Sequence, residues 1–316
     1  MSEFDLIKKY FTRETSRAVL GIGDDAALLK ASAGKQLAIS TDMLVSGTHF
    51  FADTDPYFLG HKTLAVNLSD LAAMGATPRW ATLALSLPEA NHSWLSSFSA
   101  GFFALAEQHG LELIGGDTTR GPLNICVTII GEIPDGLALR RDGAKVGDDI
   151  WLSGQVGEAA LGLASLQGKI LLPEVLRTTC LDALHRPQPR IELGLALRDI
   201  AHSAIDISDG LLADLAHILE RSKVAAEIQF SLIPQPESCA KLPDQHLVQR
   251  CLLAGGDDYE LCFTAAVAQR ATIEKLAAHI DLPLTRIGKI IAGEGLHVVA
   301  ADGSVIKTER LGYDHF

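Results

Sequence analysis

The sequence lacks the features that mark membrane-inserted and exported proteins. No apolar run reaches the roughly 18 residues that a membrane-spanning helix needs. The N-terminal stretch MSEFDLIKKYF mixes charges of both signs and does not form the apolar core of a signal peptide. These absences predict a cytoplasmic protein that does not act on membranes. Because 47% of the residues are hydrophobic, the composition also argues against disorder and favours a well-buried globular fold.

Cysteine pairs and positive charge are also scarce. The five cysteines show no spacing typical of a disulfide framework or a zinc site, so we expect reduced, buried thiols. The formal net charge is −12, which disfavours nucleic acid as a partner because nucleic-acid-binding surfaces are basic. Two explanations of the acidic excess stay open. It serves solubility alone, or some of the acids are grouped to bind cations and, through them, an anionic ligand.

The common nucleotide-binding motifs are missing as well. The sequence contains no G-x-x-x-x-G-K-[ST], no G-x-G-x-x-G and neither of the H-R-D and D-F-G motifs of protein kinases. It also contains no D-x-[DN]-x-[DN]-G calcium loop with a glutamate six residues after the glycine. These absences exclude a P-loop enzyme, a protein kinase and an EF-hand protein.

What the sequence does contain is an alternation of apolar strands and amphipathic helices, which predicts an α/β or α+β fold. QLAISTDML and RWATLALSL read as strands, and residues 93–109 read as a helix that Ser93 caps and Gly110 ends. A segment rich in glycine and charge begins near residue 135. It predicts two α/β domains, residues 1–135 and 136–316.

The second half repeats the alternation of strands and helices. We expect helices over residues 190–202 and from Asp209 to about Arg221, with the strand SAIDI between them. The stretch LHVVAADGSVIKTE predicts a hairpin that turns at Asp302 and Gly303.

Six short motifs place an aspartate beside glycine, serine or threonine, and they are GIGDDAALL, STDML, NLSDLAAMG, GGDTTRG, DISDG and GGDDYEL. For any one motif, helix capping or turn formation is the better explanation. Asp24 and Asp25 are harder to dismiss, because the apolar AALL that follows predicts buried surface beside two like charges. Six such motifs favour a site for hard cations such as Mg²⁺, which prefer oxygen ligands. Phosphate is the ligand that such a site suits, since metals must bridge it to carboxylates that would otherwise repel it.

Two of these motifs form an internal echo. Ser69-Asp70 and Ser208-Asp209 are each expected to precede a helix, and each is followed at nearly the same spacing by the aspartate of a Gly-Gly-Asp motif. Duplication of one ancestral half and chance coincidence both explain a match this short.

Taken in order, seven stretches resemble the thiamine-monophosphate kinase family of the aminoimidazole ribonucleotide synthetase superfamily. They are GIGDDAALL, STDMLVSGTHF, KTLAVNLSDLAAMGA, LIGGDTTRG, AIDISDGLLADLAHI, GGDDYELCF and the terminal GYDHF. The resemblance implies ATP-dependent phosphorylation of thiamine monophosphate to thiamine diphosphate by direct in-line transfer. It also implies a two-domain α/β fold, several Mg²⁺ ions, and a homodimer paired through the N-terminal domains. It leaves a potassium requirement open.

The resemblance also implies site residues by position. The implied magnesium ligands are Asp25, Ser40, Thr41, Asp42, Asp70, Asp117, Asp206 and Asp209. The implied ATP contacts are Gly116, Asp117, Arg141 and Ser208. The implied contacts to thiamine monophosphate are His49, Asp257 and Tyr313. No acid or base is needed, because the acceptor phosphate oxygen is already anionic; Asp42, Asp117 and Asp209 act electrostatically through the metals.

Four of these residues carry alternatives. Asp257 stands where the family commonly has glutamate, and its side chain is one methylene shorter, so its contact to substrate is lengthened or bridged by water. On the residues alone, Arg140 is an equal candidate to Arg141 for binding phosphate. A lone His49 is more often a surface residue than a ligand contact. Tyr313 either packs the C-terminal tail or stacks on the thiazolium ring.

Other functions remain as alternatives. A selenophosphate synthetase needs a reactive cysteine near its N-terminus, and the first cysteine here is Cys126. A carbamoyl-dehydrating hydrogenase maturation factor needs a C-terminal cysteine, and this chain ends in GYDHF. An enzyme like aminoimidazole ribonucleotide synthetase, which also uses ATP, is the nearest alternative. A non-catalytic protein that binds divalent cations is the alternative from a different functional class.

Overall fold

The computed structural model of the protein describes residues 2–240, 242–308 and 311–314. The chain divides into two compact units. The first comprises Met1–Leu71 and Ala76–Gly136, and the second comprises Ala72–Gly75 and Leu137–Phe316. None of the helices in the described residues combines the length and the apolar character that a membrane crossing requires.

The first unit is built around a four-stranded sheet with two long helices. In chain order its elements are α1 (Glu3–Leu6), a π-helical turn (Ile7–Phe11), β1 (Lys35–Val45), α2 (Pro56–Ala73), β2 (Thr77–Leu87), α3 (His92–Gln108), β3 (Glu112–Arg120) and β4 (Asn124–Pro134). The strand order is β1-β4-β2-β3. β4 is antiparallel to both of its neighbours, whereas β2 and β3 run parallel.

Helices α2 and α3 approach each other so closely that their backbones touch. A Cβ atom at Gly60 would lie 2.1 Å from the carbonyl oxygen of Phe98, and one at Gly101 would lie 1.9 Å from that of Tyr57. Any side chain at these two positions would force the helices apart. The two glycines therefore set the spacing of the helix pair.

The predicted helix over residues 93–109 is confirmed, with a correction at its start. The α3 helix begins at His92, and the side chain of Asn91, rather than that of Ser93, accepts the backbone N–H groups of Ser93 and Trp94. Gly110 follows the helix with a φ of +59°, as expected of a glycine that ends a helix.

The sheet of the first unit has one covered face and one open face. Val127 and Leu83, which lie beside Asp42 in the neighbouring strands, are buried. On the opposite face Ile39 and Met43 are 63% and 53% exposed. This alternation follows from the two-residue period of a strand.

The second unit contains a seven-stranded sheet and most of the helices. In chain order its elements are β5 (Asp149–Ser153), α4 (Glu158–Leu166), α5 (Glu174–His185), α6 (Ile191–Ala196), β6 (Ala201–Asp206), α7 (Leu211–Ser222), β7 (Ala225–Gln229), α8 (Glu237–Ala240), α9 (Gln245–Ala254), β8 (Leu261–Ala265), α10 (Arg270–His279), β9 (Leu284–Ile291), β10 (Leu296–Val299) and β11 (Val305–Ile306). The strand order is β11-β10-β7-β9-β5-β8-β6. All five cysteines of the chain are free thiols, and four of them are buried, as predicted.

Of two expectations for the second unit, the hairpin is confirmed and the length of one helix is wrong. The hairpin of β10 and β11 is confirmed, and Gly303 in its turn has a φ of +83°. The helix predicted over residues 190–202 is too long, because α6 ends at Ala196. Asp199 takes a left-handed conformation with a φ of +64°, which turns the chain into β6 at Ala201.

The internal echo is wrong as a structural repeat. Asp70 lies in the last turn of α2, so it does not precede a helix. Asp209, in contrast, lies two residues before the start of α7. The two Ser-Asp pairs therefore occupy opposite ends of their helices, and the expectation that both precede a helix is wrong for Asp70.

Candidate active site

The loop between β6 and α7 brings five predicted residues together in the second unit. The carbonyl oxygen of Ser208 accepts the backbone N–H of Asp257 at 2.8 Å. The carbonyl oxygen of Asp209 accepts the backbone N–H of Tyr313 at 3.0 Å. Asp206 closes β6 immediately before this loop. Segments that are distant in sequence thus meet at one loop.

Glycines permit this close approach of three backbones. A Cβ atom at Gly256 would lie 2.3 Å from the carbonyl oxygen of Ser208, and one at Gly312 would lie 2.6 Å from that of Asp209. The glycines of the motifs GGDDYEL and GYDHF are therefore required where the segments cross, because even an alanine would collide with the loop.

Tyr259 is a site residue that the sequence reasoning missed. Its hydroxyl donates a hydrogen bond of 3.1 Å to Oδ1 of Asp257, and its ring is buried. Asp257 and Tyr259 both adopt left-handed backbone conformations, with φ values of +69° and +51°. Residues other than glycine keep such conformations only where the surrounding structure holds them, and these positions cluster at functional sites.

Asp214 is a second residue that the motifs do not single out. It lies in the first turn of α7 and is 3% exposed, and its Oδ2 accepts the backbone N–H groups of Ser208, Asp209 and Gly210 at 3.1 Å each. Burial raises the pKa of the Asp214 carboxyl to about 7, and the nearby charge of Asp209 adds to the shift, whereas the three N–H donors oppose it. An acidic residue in the first turn of a helix is the one signal that the sequence carries.

A buried ion pair supports the segment that follows Asp257. The guanidinium group of Arg190 donates to both carboxylate oxygens of Glu260, with an Nε–Oε2 distance of 2.7 Å. The hydroxyl of Ser153 donates to the same carboxylate and accepts the backbone N–H of Leu261. The carbonyl oxygen of Glu260 accepts the N–H of Ile207 at 2.8 Å. This network therefore stabilises the Asp206–Gly210 loop through the bond between Glu260 and Ile207.

In the first unit, β1 and α2 bring Ser40, Asp42 and Asp70 together. The hydroxyl of Ser40 donates to the carboxylate of Asp70. The backbone N–H of Asp42 donates to Oδ1 of the buried Asn67, which lies one helical turn before Asp70, at 3.3 Å. Ser40 and Asp42 point to the same face of the strand because they are two residues apart.

Thr41 points to the opposite face of the sheet. Its hydroxyl lies 2.8 Å from that of Thr128 on β4. A metal ion bound by the side chains of Ser40 and Asp42 therefore has no access to the Thr41 hydroxyl of the same chain.

Asp117 lies far from Asp42 within the sheet. The strand register places Asp42 in one row with Val127, Leu83 and Gly116, so Asp42 and Gly116 are three strand spacings apart. At about 4.8 Å per spacing this separation is roughly 14 Å. Metal–oxygen bonds are only about 2.0–2.6 Å long, so Asp42 and Asp117 of one chain do not bind the same ion.

Gly116 itself has a clear structural requirement. Its φ is +147°, and a Cβ atom there would lie 1.9 Å from the carbonyl oxygen of Leu83. The strand thus approaches β2 closely just before Asp117, which explains the second glycine of the Gly-Gly-Asp sequence.

His49 lies in the turn that follows β1. The backbone N–H of Val45 donates to Nδ1 of His49 at 3.0 Å. This bond leaves the proton of the neutral imidazole on Nε2, which is then a hydrogen-bond donor. His49 is thereby suited to bind an anionic oxygen.

Asp25 lies on an exposed loop that is closed by the pairing of Leu20 with Leu28. Its backbone N–H donates to Oδ1 of Asp24. The expectation that this pair adjoins buried surface is wrong, because both aspartates are exposed and Leu28 is 54% exposed. The two like charges tolerate each other here because water screens them.

The structure separates the two arginine candidates. Arg140 forms a bidentate ion pair with Asp142, with N–O distances of 2.9 and 2.6 Å. The side chain of Arg141 is exposed, and its carbonyl oxygen accepts the hydroxyl of Ser222. Arg141 is therefore the better candidate for a phosphate, and its contact to ATP stays a prediction.

Comparison with known proteins identifies the family. Two domain models match the chain, namely AIR synthase related protein, N-terminal domain, over residues 23–133, and AIR synthase related protein, C-terminal domain, over residues 145–301. The thiamine-monophosphate kinase of Escherichia coli (strain K12) is 47% identical over 319 residues, covering 99% of this chain and 98% of that protein. This chain belongs to the thiamine-monophosphate kinase family. The resemblance found in the sequence motifs is confirmed.

Two solved structures of this kinase family match along nearly the whole chain. The crystal structure of thiamine-monophosphate kinase from Stenotrophomonas maltophilia K279a is 52% identical with a TM-score of 0.88, covering 97% of this chain and 98% of that chain. The complex of AaThiL with AMPPCP and TMP is 32% identical with a TM-score of 0.80, covering 99% of this chain and 96% of that chain. The predicted two-domain fold of the superfamily is thus confirmed.

The donors available for metal in this family member are carboxylates and hydroxyls. Within residues 2–240, 242–308 and 311–314, no three side chains of histidine, cysteine, aspartate or glutamate lie close enough together to hold an ion. A metal here would therefore combine a few of these oxygens with oxygens from substrate or water. This is the usual coordination of Mg²⁺ beside phosphates.

Proposed function

We propose that this chain transfers the γ-phosphoryl group of ATP to thiamine monophosphate and forms thiamine diphosphate. The observation that carries the proposal is the full-length match to a relative in complex with an ATP analogue and TMP. The meeting of Ser208, Asp209, Asp257 and Tyr313 at one loop supports it, because two of these are assigned to the nucleotide and metal, and two to thiamine monophosphate.

The main obstacle to the reaction is the repulsion between two anionic phosphate-bearing molecules, rather than the transfer of a proton. The acceptor oxygen belongs to a phosphate that is already anionic, so no general base is required to form a nucleophile. Catalysis then rests on positioning two polyanions and neutralising their charge. We propose a single in-line transfer, which inverts the configuration at phosphorus.

The residues present fit several Mg²⁺ ions. Oxygen donors are the ligands that Mg²⁺ prefers, and Asp70 lies in the last turn of α2, where the helix dipole disfavours a carboxylate and a cation would stabilise it. Bound Mg²⁺ would neutralise phosphate charge. We assign its ligands to Ser40, Asp42 and Asp70 in the first unit and to Asp206 and Asp209 in the second. Asp25, Thr41 and Asp117 complete the assignment on surfaces apart from this first group.

The assignments to substrate rest on the described side chains. We propose that Gly116, Asp117, Arg141 and Ser208 contact ATP, and that His49 donates from Nε2 to a phosphate oxygen. Asp257 and Tyr313 then bind the cationic thiamine moiety, with the carboxylate of Asp257 oriented by Tyr259.

The direct test is incubation with ATP, MgCl₂ and thiamine monophosphate, followed by chromatography. Thiamine diphosphate should appear in proportion to the ADP formed, and EDTA should abolish it. Parallel reactions in sodium and potassium buffers test the potassium requirement that the sequence leaves open. ATP consumption without thiamine diphosphate would favour another ATP-using activity of the superfamily. A thermal shift that depends on Mg²⁺ alone, with no response to nucleotide, would favour a cation-binding protein.

Replacing Tyr259 with phenylalanine should raise the KM for thiamine monophosphate about 10- to 100-fold, because a hydrogen bond to a charged group contributes about 1.5–3 kcal/mol. The KM for ATP should change less than twofold. Tyr10→Phe is a matched control, since its hydroxyl bonds to His92 in the first unit. Initial-rate kinetics with either substrate varied would reject the role of Tyr259 if both KM values rose equally.

We also propose that two copies pair through the open face of the first unit's sheet, because an exposed apolar face of this kind marks an association surface. Ile39→Asp should convert a dimer to a monomer of 33.7 kDa, as measured by light scattering after gel filtration. Leu171→Asp is the control, since Leu171 is 96% exposed in the second unit. A monomeric parent protein, or an Ile39→Asp variant that stays dimeric, would contradict this assignment.

A further inference from the structure

The backbone N–H groups just before α7 are bound by a side chain from within the helix, rather than by one that precedes it. In most helices, a side chain before the first turn accepts the free N–H groups of that turn. Here the residue before the helix is Gly210, which has no side chain to do so. Instead Asp214, inside the helix, reaches back and accepts three successive N–H groups that precede or open the helix.

This arrangement limits which backbone groups of the Ser208–Gly210 loop a ligand can contact. The N–H groups of Ser208, Asp209 and Gly210 are bound by the buried carboxyl group of Asp214, so these three groups are not available to a phosphate. The carbonyl oxygens of Ser208 and Asp209 are occupied by the N–H groups of Asp257 and Tyr313.

The same bonds connect the two substrate assignments. Asp257 and Tyr313 are held by carbonyl groups of the very peptide units whose orientation Asp214 sets. A rotation of these peptides would displace the nucleotide contacts and the thiamine contacts together. The buried side chain of Asp214 thereby positions both the nucleotide contacts and the thiamine contacts.

We propose that Asp214 is a positioning residue that holds the Ser208–Gly210 turn and so couples the binding of nucleotide to the binding of thiamine monophosphate. The inference rests on the proposed function, and it extends that function to a residue outside every assigned ligand set. It also predicts that phosphate is not bound by the backbone N–H groups of Ser208, Asp209 and Gly210.

The first test compares Asp214→Ala and Asp214→Asn with the parent protein. Alanine removes the acceptor, so the KM values for ATP and thiamine monophosphate should both rise at least 10-fold. Asparagine keeps one acceptor oxygen of the same size and should restore both to within about threefold. Ile273→Ala, a buried position on α10 outside the hydrophobic cluster that contains α7, serves as a control that lowers stability. Equal KM values in the parent and in Asp214→Ala would overturn the proposal.

The second test measures binding without turnover. Calorimetry with AMPPCP and Mg²⁺ should show that thiamine monophosphate tightens nucleotide binding in the parent protein, and that this mutual effect is lost in Asp214→Ala. Undiminished coupling in the variant would refute the role of Asp214. If the parent protein instead makes no thiamine diphosphate at all, the proposed function fails, and this outcome is distinct from a failure of the Asp214 assignment.

The third test needs no variant, so it still applies if Asp214→Ala does not fold. In the parent protein without ligands, hydrogen exchange should show protected amides at Ser208, Asp209 and Gly210, because all three bond to one buried carboxylate. Rapid exchange at these three amides would disprove the arrangement.

Discussion

Replacing Asp209 with asparagine should lower kcat/KM for phosphoryl transfer about 10²- to 10³-fold, which is the usual loss when one preorganised electrostatic group is removed. Asparagine has nearly the same shape, and the backbone of residue 209 keeps its bonds to Asp214 and Tyr313, so the fold should persist. Asp42→Asn should have an effect of similar size from the first unit. Initial rates at several concentrations of MgCl₂ measure both losses.

A matched control is Asp302→Asn. Asp302 is an exposed turn residue whose carboxylate bonds to Ser304, and its replacement should leave kcat/KM unchanged. If Asp209→Asn and Asp42→Asn both kept the parental kcat/KM at every MgCl₂ concentration, the metal assignments proposed here would be wrong.

Replacing Arg190 with methionine should cost about 3 kcal/mol of folding free energy, because it leaves the buried carboxylate of Glu260 without its cation. The Glu260 side chain is only 6% exposed and that of Arg190 26%, so water compensates little for the loss. For a unit of this size we expect the Tm to fall by about 6–12 °C. Differential scanning calorimetry of the variant measures this fall.

The control for Arg190 is Arg186→Met. Arg186 forms an exposed ion pair with Asp182, with side chains 43% and 58% exposed, and such pairs contribute about 0–1 kcal/mol. Its Tm should therefore change by no more than about 4 °C. Equal losses in the two variants would show that burial of Glu260 does not set the stability of the Arg190 pair.

Local patterns predicted the elements of the fold well. The strands β1 and β2 follow from apolar runs bounded by polar residues, and the turn at Gly303 follows from an Asp-Gly pair. These signals are local, so one segment of sequence carries all the information. The end of α6 was missed for the opposite reason, since Asp199 adopts a left-handed conformation that no glycine or proline announces.

The residues of the candidate site also differ in whether the local sequence signals them. Asp209 and Asp257 were found because each lies in a short motif beside glycine or serine, and because those motifs resemble the family. Tyr259 and Asp214 were missed because their roles depend on contacts that only the folded chain creates. Asp70 was found through its motif and the family resemblance, whereas the expectation that it starts a helix is wrong, because it lies near the end of α2.

The glycine contacts between α2 and α3 have a mechanical consequence. Where two backbones touch with no side chain between them, neither helix can slide or roll without steric collision. Asp70 lies on α2, so we expect its carboxylate to move little. We therefore expect motion near Asp70 to occur in segments outside the helix pair, such as the turn after β1 and the loop that bears Asp25, and spectroscopic probes of motion belong on those segments.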